Sequence, residues 1–277
     1  MDKLVSTEWL AARLDADDLV ILDATMHLPD CPRDARKEYE AGHIPGARFL
    51  DLESFIDTGS DVPKAIPTAQ QFSERMSELG IAPGSRIVLY DDSEIRSAAR
   101  AWFVLTHYGE KKVAILDGGL AKWRIEGRGL SDRVVGHAPR EREVPQPERV
   151  VRSQRDLEQN IERREWQVVD ARDTARFEGQ PGSGSEGHIP GARNVPFVRM
   201  FREDGTYRSP DAIRTEFEET GLDLGQPIVT SCNSGMTASV LLFGLSLLGK
   251  HDTALYDGSW LEWGADPRTP KEQGEAR

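Results

Sequence analysis

The sequence repeats itself, and this limits the fold more than any other feature. Gly42-His43-Ile44-Pro45-Gly46-Ala47-Arg48 returns letter for letter as Gly187-His188-Ile189-Pro190-Gly191-Ala192-Arg193. Val20-Ile21-Leu22-Asp23-Ala24 is echoed by Gln167-Val168-Val169-Asp170-Ala171, and Ile87 to Asp91 by Ile228 to Cys232. Leu116-Asp117-Gly118-Gly119 is echoed by Tyr256-Asp257-Gly258-Ser259. The offsets are 147, 145, 141 and 140 residues (170−23, 188−43, 232−91 and 257−117). They shrink slowly, as trimming of loops in the second copy would produce. A period this long means two copies of one whole domain and not a solenoid of short units.

Each copy alternates short apolar strands with helices. In the first, Ser6-Thr7-Glu8-Trp9-Leu10 reads as a capped helix start, followed by buried strands at Leu19–Ala24, Arg86–Asp91 and Val113–Asp117. Phe72 to Leu79 and Arg96 to Tyr108 have helical spacing, each ended by a glycine. Such alternation predicts an α/β fold: in each domain a parallel β-sheet flanked by helices on both faces. Ser131 to Val150 is rich in charge, carries Pro139, Pro145 and Pro147, and reads as an extended linker. The expected boundaries are a first domain over 1–130, a linker over 131–150 and a second domain over 151–277. The polar tail from Gly264 either wraps the surface or is disordered.

Composition excludes several function classes. The chain has 277 residues, 38% hydrophobic and 30% charged, with a net charge of −12. An acidic chain is a poor nucleic-acid binder, since that function needs a basic surface. No apolar run reaches the ~18 residues that suggest a membrane span. The N-terminus lacks the apolar core of a secretory signal. Two cysteines make no disulfide framework, which points to a reducing, cytoplasmic setting. No Cys/His cluster has zinc-ligand spacing, so no metal or other cofactor is expected.

The copies differ where it matters chemically. Cys232 falls opposite Asp91, so only the second copy carries a thiol at the end of this strand. The loop Cys232-Asn233-Ser234-Gly235-Met236-Thr237-Ala238 runs from an apolar strand into an apolar helix. The first N–H groups of a helix have no partner within it, and a curled loop of small residues there can form an anion nest. A thiolate in such a nest is stabilised and reactive. A cysteine phosphatase would need an arginine at the loop's end to grip phosphate. Ala238 stands there instead. The first copy's loop, Asp91-Asp92-Ser93-Glu94-Ile95-Arg96, is acidic, so the second domain is the working one. His43 and His188 occur in both copies, which favours a shared structural task, such as pinning the Ile-Pro-Gly turn. Arg176, just after the strand ending at Asp170, is either a binder of a substrate carboxylate or an ordinary salt-bridge partner. Glu178 to Gly187 has a glycine spacing that matches no nucleotide fingerprint and reads as a flexible flap. Cys31, before Pro32, reads as an ordinary loop thiol.

From about Leu4 to Trp263 the chain resembles the two-domain sulfurtransferases of the rhodanese family, and most closely their mercaptopyruvate-using branch. The resemblance rests on Leu22-Asp23-Ala24, the twin Gly-His-Ile-Pro-Gly-Ala segments, Leu116-Asp117-Gly118-Gly119, the Cys232 loop and Tyr256-Asp257-Gly258-Ser259-Trp260. It implies two tandem rhodanese-like domains, only the C-terminal one catalytic. The activity it implies is transfer of sulfur through a Cys232 persulfide, without cofactor, to a thiol, cyanide or a thioredoxin-like acceptor. The small anionic donor would be held by the backbone of Asn233, Gly235, Met236, Thr237 and Ala238 and by Arg176. Ser234 matches the serine of mercaptopyruvate enzymes, where thiosulfate enzymes carry lysine. A second family arginine is absent from Gln180-Pro181-Gly182-Ser183-Gly184-Ser185-Glu186. The Asp and His that the branch places around its serine correspond to Glu53 and Lys64, as contributors to the cleft. Thiosulfate as donor, or a role as a sulfur-relay carrier, are the alternatives to mercaptopyruvate turnover.

Overall fold

The computed structural model describes residues 1–276. The chain divides into two compact units. The first comprises Met1–Asp57, Ile66–Arg149 and Arg202–Tyr207; the second comprises Thr58–Ala65, Val150–Phe201 and the chain from Arg208 onward.

In the first unit the strands are β1 (Leu4–Val5), β2 (Leu19–Asp23), β3 (Arg48–Phe49), β4 (Arg86–Tyr90) and β5 (Val113–Leu116). They form one sheet in the order β1-β5-β4-β2-β3, with every pair parallel. Its helices are α1 (Thr7–Ala11), α2 (Ala35–Ala41), α3 (Ala69–Glu78), α4 (Ala98–His107) and α5 (Gly119–Ile125). The central strands read as near-continuous apolar runs because helices cover both faces of a parallel sheet. Tyr90, Leu116, Leu120 and Trp123 are among the residues of a core on one of these faces.

The helix starts follow from local chemistry. The Ser6 hydroxyl accepts the Trp9 N–H, and Thr68 with Gln71 forms a reciprocal capping box. That box starts α3 at Ala69, three residues before the apolar spacing begins at Phe72. Conversely, α4 begins at Ala98 and not at Arg96. Arg96 holds φ +53°, in the left-handed region that a right-handed helix cannot contain.

The second unit repeats the plan. Its strands are β6 (Val150–Arg152), β7 (Gln167–Asp170), β8 (Arg193–Asn194), β9 (Ile228–Ser231) and β10 (Thr253–Tyr256). The order β6-β10-β9-β7-β8 is again parallel throughout and matches the first sheet position for position. The helices are α6 (Gln154–Arg163), α7 (Thr174–Glu178), α8 (Pro210–Glu218), α9 (Ala238–Leu247) and α10 (Ser259–Trp263), with a 3-10 turn at Phe197–Met200. Helix α9 is buried from Ala238 to Ser246, which explains its lack of a polar face.

Residues 131–149 contain no helix or strand, yet they are bonded along their length to the first unit. Ser131 makes a two-bond bridge with His43. The Arg140 N–H reaches Ser77 O, Arg142 pairs with Glu110 and donates to Ile81 O, and the Glu148 N–H reaches His107 O. The C-terminal tail is likewise bonded to the second unit. The Trp263 indole donates to Pro270 O at 2.9 Å, Glu272 bridges His188, and the Gly274 N–H reaches Glu178 O. Among the described residues no helix is long and apolar enough to cross a membrane.

The two histidines of the repeated heptads have the same task. His43 Nδ1 bonds Tyr39 O at 2.7 Å and its ring stacks on Tyr39; His188 Nδ1 bonds Phe177 O at 2.8 Å and stacks on Phe177 at 3.7 Å. Both are fully buried and tie the helix before the turn to the turn itself. Burial lowers the pKa of His188 below the usual histidine value. The unfolded chain takes up that proton near pH 6.5, so His188 contributes stability above about pH 6.5 that is lost as the pH falls. Replacing His188→Gln is therefore expected to cost about 2 kcal/mol at pH 7.5. In urea denaturation the deficit should narrow at pH 5.5, where the parent has lost the histidine's contribution.

Candidate active site

Strand β9 ends at Ser231, and the next residue, Cys232, is only 1% exposed. The loop then curls through Gly235, whose φ of +73° is one that glycine adopts freely, and enters α9 at Ala238. Two neighbours hold it. The start of α10 lies against it, with Trp260 N–H donating to Cys232 O at 3.0 Å and Leu261 N–H to Asn233 O at 2.9 Å. Ser239 at the head of α9 donates to Gly235 O at 2.8 Å. Inside the curl the Ser259 hydroxyl oxygen accepts the N–H groups of Cys232 and Gly235.

Five loop N–H groups are left over. Among the described residues, none accepts a hydrogen bond from the backbone N–H of Asn233, Ser234, Met236, Thr237 or Ala238. Thr237, at the N-cap of α9, makes no side-chain capping bond. A cysteine therefore begins a curl of unused donors at the N-terminus of a ten-residue helix. Such a curl is equipped to hold a sulfur anion. Asn233 is exposed, Ser234, Met236 and Thr237 are half-buried, and Gly235 and Ala238 are buried.

The first unit fills the same curl with a carboxyl group of its own. The Asp91 carboxylate accepts from Ser93 N–H at 3.1 Å and from Ala98 N–H, the first of α4, at 2.7 Å. Leu120 N–H donates to Asp91 O as Trp260 does to Cys232 O. Burial raises the Asp91 pKa, and the bonds from Ala98 and Ser93 oppose it. An aspartate is thus tied into the centre of this loop.

Beneath the second loop lies a buried ion pair. Arg172 is 1% exposed and grips Asp170 through Nε and Nη2, the latter at 2.7 Å. Its guanidinium faces the Trp260 ring at 4.5 Å. It also donates to Ser185 Oγ and Gly187 O, both at 2.9 Å, which fastens the glycine-rich segment. Glu186 is held as well, by Lys271 at 3.3 Å and by Gln273 at its carbonyl. The segment expected as a flexible flap is thus bonded at three consecutive residues. Arg172 was not singled out by sequence reasoning, although the repeat contained its signal. In the first unit Thr25 and Tyr90 occupy the positions of Arg172 and Ser231. There Thr25 bonds Asp23 through its N–H and hydroxyl. A large and a small residue have exchanged places around each buried aspartate.

The family model for the rhodanese-like domain matches residues 6–126 and again 153–266. The chain belongs to the rhodanese family. It is 40% identical over 270 residues to human 3-mercaptopyruvate sulfurtransferase, covering 94% of this chain and 91% of that one. It is 38% identical to the Escherichia coli 3-mercaptopyruvate sulfurtransferase, covering 97% of each. An Arabidopsis thaliana relative, 35% identical over 99% of this chain and 79% of its own length, is a thiosulfate/3-mercaptopyruvate sulfurtransferase. The crystal structure of SseA from Escherichia coli, described with the catalytic mechanism of 3-mercaptopyruvate sulfotransferases, matches with a TM-score of 0.86 and 36% identity. That match covers 94% of this chain and 99% of SseA.

Within the second rhodanese unit, Arg176 lies on α7, directly after β7, and is half-exposed. Its guanidinium is paired with Asp173, the N-cap of the same helix. Burial works against ionisation of Asp173, but bonds from the Arg176 N–H and guanidinium outweigh it and hold the carboxyl below its usual range. Lys64, at φ +55°, belongs to the short segment grouped with the second unit. Glu53 is exposed in the first unit, where with His27, Cys31 and Arg33 it lines a cavity of about 310 Å³. Of the residues singled out in the sequence, the structure thus gathers the Cys232 loop into one curl, while Arg176, Lys64 and Glu53 stand on other elements.

Breaking the Asp170–Arg172 pair leaves a buried carboxylate without its partner. Arg172→Ala should cost about 3–5 kcal/mol in urea denaturation. The Asp170→Ala, Arg172→Ala double variant should recover part of that loss, because no unpaired charge remains.

Proposed function

We propose that the protein is a sulfurtransferase whose C-terminal domain, residues 151–277, is catalytic and whose carrier is Cys232. The observation that supports this most is the curl of unused N–H groups that begins at the cysteine. The names of its relatives support 3-mercaptopyruvate as the donor. In the first half-reaction the Cys232 thiolate attacks the donor's thiol sulfur. The S–S bond forms as the S–C bond breaks, its electron pair passes to carbon, and protonation of that enolate releases pyruvate. The loop N–H groups hold the outer sulfur of the persulfide as an anion. In the second half-reaction a thiol or cyanide attacks that sulfur, and the electron pair of the S–S bond returns to Cys232. This is covalent catalysis with ping-pong kinetics.

Arg176 orients the donor carboxylate by exchanging Asp173 for it. Charge and planarity suit it to a bidentate grip. Ser234 is the loop's donor-selecting side chain, and Lys64, in the same unit, supplies positive charge for the donor. Lys64 stands where the mercaptopyruvate branch carries a histidine. A second reading, thiosulfate as preferred donor, is favoured by the loop Gln180 to Glu186, which offers no second arginine for a keto acid.

Two variants test the proposal. Cys232→Ser should abolish pyruvate release from 3-mercaptopyruvate and thiocyanate formation from cyanide, while Cys31→Ser should leave both unchanged. Retained turnover in Cys232→Ser would sink the assignment. Ser234→Lys should move the ratio of kcat/KM values toward thiosulfate by about tenfold or more, the effect of one charge-assisted hydrogen bond of about 1.5 kcal/mol. Higher kcat/KM for thiosulfate in the unmodified protein would favour the second reading.

A further inference from the structure

Ser259 adopts a conformation that its residue type resists. It is fully buried and holds φ +51°, which side chains other than Asn, Asp and Gly seldom adopt. The first unit has Gly119 at this position, at φ +57°, where a Cβ would lie 2.4 Å from the Asp91 carbonyl oxygen. The serine thus carries a backbone cost that its twin avoids.

What it gains is three hydrogen bonds at one oxygen. Ser259 Oγ accepts the Cys232 N–H at 3.1 Å and the Gly235 N–H at 3.2 Å, and donates to Tyr256 O at 2.8 Å. A hydroxyl has one proton and two lone pairs, so this one is fully committed and is not available as an acid or a base. The first unit achieves a similar result by other means. There the carboxylate of the loop's own first residue, Asp91, accepts Ser93 N–H and Ala98 N–H. A loop whose first residue is a thiol lacks that internal tie.

We propose that Ser259 is a positioning residue for sulfur transfer. Its hydroxyl binds the first and fourth N–H groups of the Cys232 loop and fixes the curl, so that the remaining N–H groups are left for the sulfur anion. The aspartate of one repeat and the serine of the other are alternative ties for the same curl. The proposal rests on the reading of Cys232 as the sulfur carrier, and its test separates the two.

Ser259→Gly removes the hydroxyl and suits the left-handed backbone; Ser259→Ala removes the hydroxyl and keeps the strain. Three measurements on the full chain decide: the thermal midpoint, the pH midpoint of iodoacetamide alkylation on the Cys232 peptide, and the single-turnover rate of sulfur loading from 3-mercaptopyruvate. Ser259→Gly is expected to stay folded, with an alkylation midpoint about one pH unit above the parent's. Its loading should be about tenfold slower, a barrier change of about 1.4 kcal/mol. Ser259→Ala should show the same chemical defect with a lower thermal midpoint. The proposal is overturned if Ser259→Gly keeps the parent's alkylation midpoint and loads sulfur within about twofold of it, or if that midpoint falls. Failure of Ser259→Gly to fold also overturns it, since the hydroxyl would then serve the fold and not the loop. If the parent itself loads no sulfur, the sulfurtransferase reading fails, while the alkylation midpoints still judge Ser259.

Discussion

Both halves of this protein depend on how backbone N–H groups are satisfied where the fourth strand of a parallel sheet turns into a helix. Buried donors without acceptors are costly, and each copy supplies an acceptor inside the turn. The first copy uses a carboxylate, Asp91, which accepts Ser93 and Ala98. The second ties two donors to the Ser259 hydroxyl and leaves five others without an acceptor. On the proposed function, a sulfur anion on Cys232 would take up those five donors. The surrounding sheet, with β9 between β10 and β7, holds the end of the strand so that the turn keeps its shape.

The same economy governs the layer beneath. Each copy buries an aspartate at the end of its second strand and surrounds it differently. Asp23 is met by the N–H and hydroxyl of Thr25, and burial raises its carboxyl to a pKa of about 6 against the pull of those bonds. Asp170 is met by Arg172, whose remaining donors hold Ser185 and Gly187. Arg172 also faces Trp260, whose N–H supports the Cys232 carbonyl. A buried ion pair is seldom the most stabilising choice. Here it links three segments around the cysteine loop.

Much of this was legible in the sequence because the chain contains its own comparison. The repeated heptads and the Asp-Gly pairs fixed the two-copy plan, and the apolar runs marked the inner strands. The substitution of Cys232 for Asp91 marked this turn as the candidate site. Helix ends were read less well, since the Thr68–Gln71 box and the left-handed Arg96 act through local geometry that hydrophobic spacing does not encode. The glycine-rich segment looked free because nothing in its own letters shows that a distant arginine fastens it. Arg172 and Ser259 were visible as differences between the copies. Their meaning is carried by hydrogen bonds to residues 13 to 27 positions away, which spacing alone does not reveal.

On the proposed function, sulfur is carried at the second copy's turn. Peptide-level mass spectrometry after one equivalent of 3-mercaptopyruvate, with no acceptor present, tests it most directly. The predicted result is a single sulfur on the peptide bearing Cys232, none on the peptide bearing Cys31, and an equal amount of pyruvate in solution. Sulfur on Cys31, or pyruvate released with no sulfur on Cys232, would contradict it.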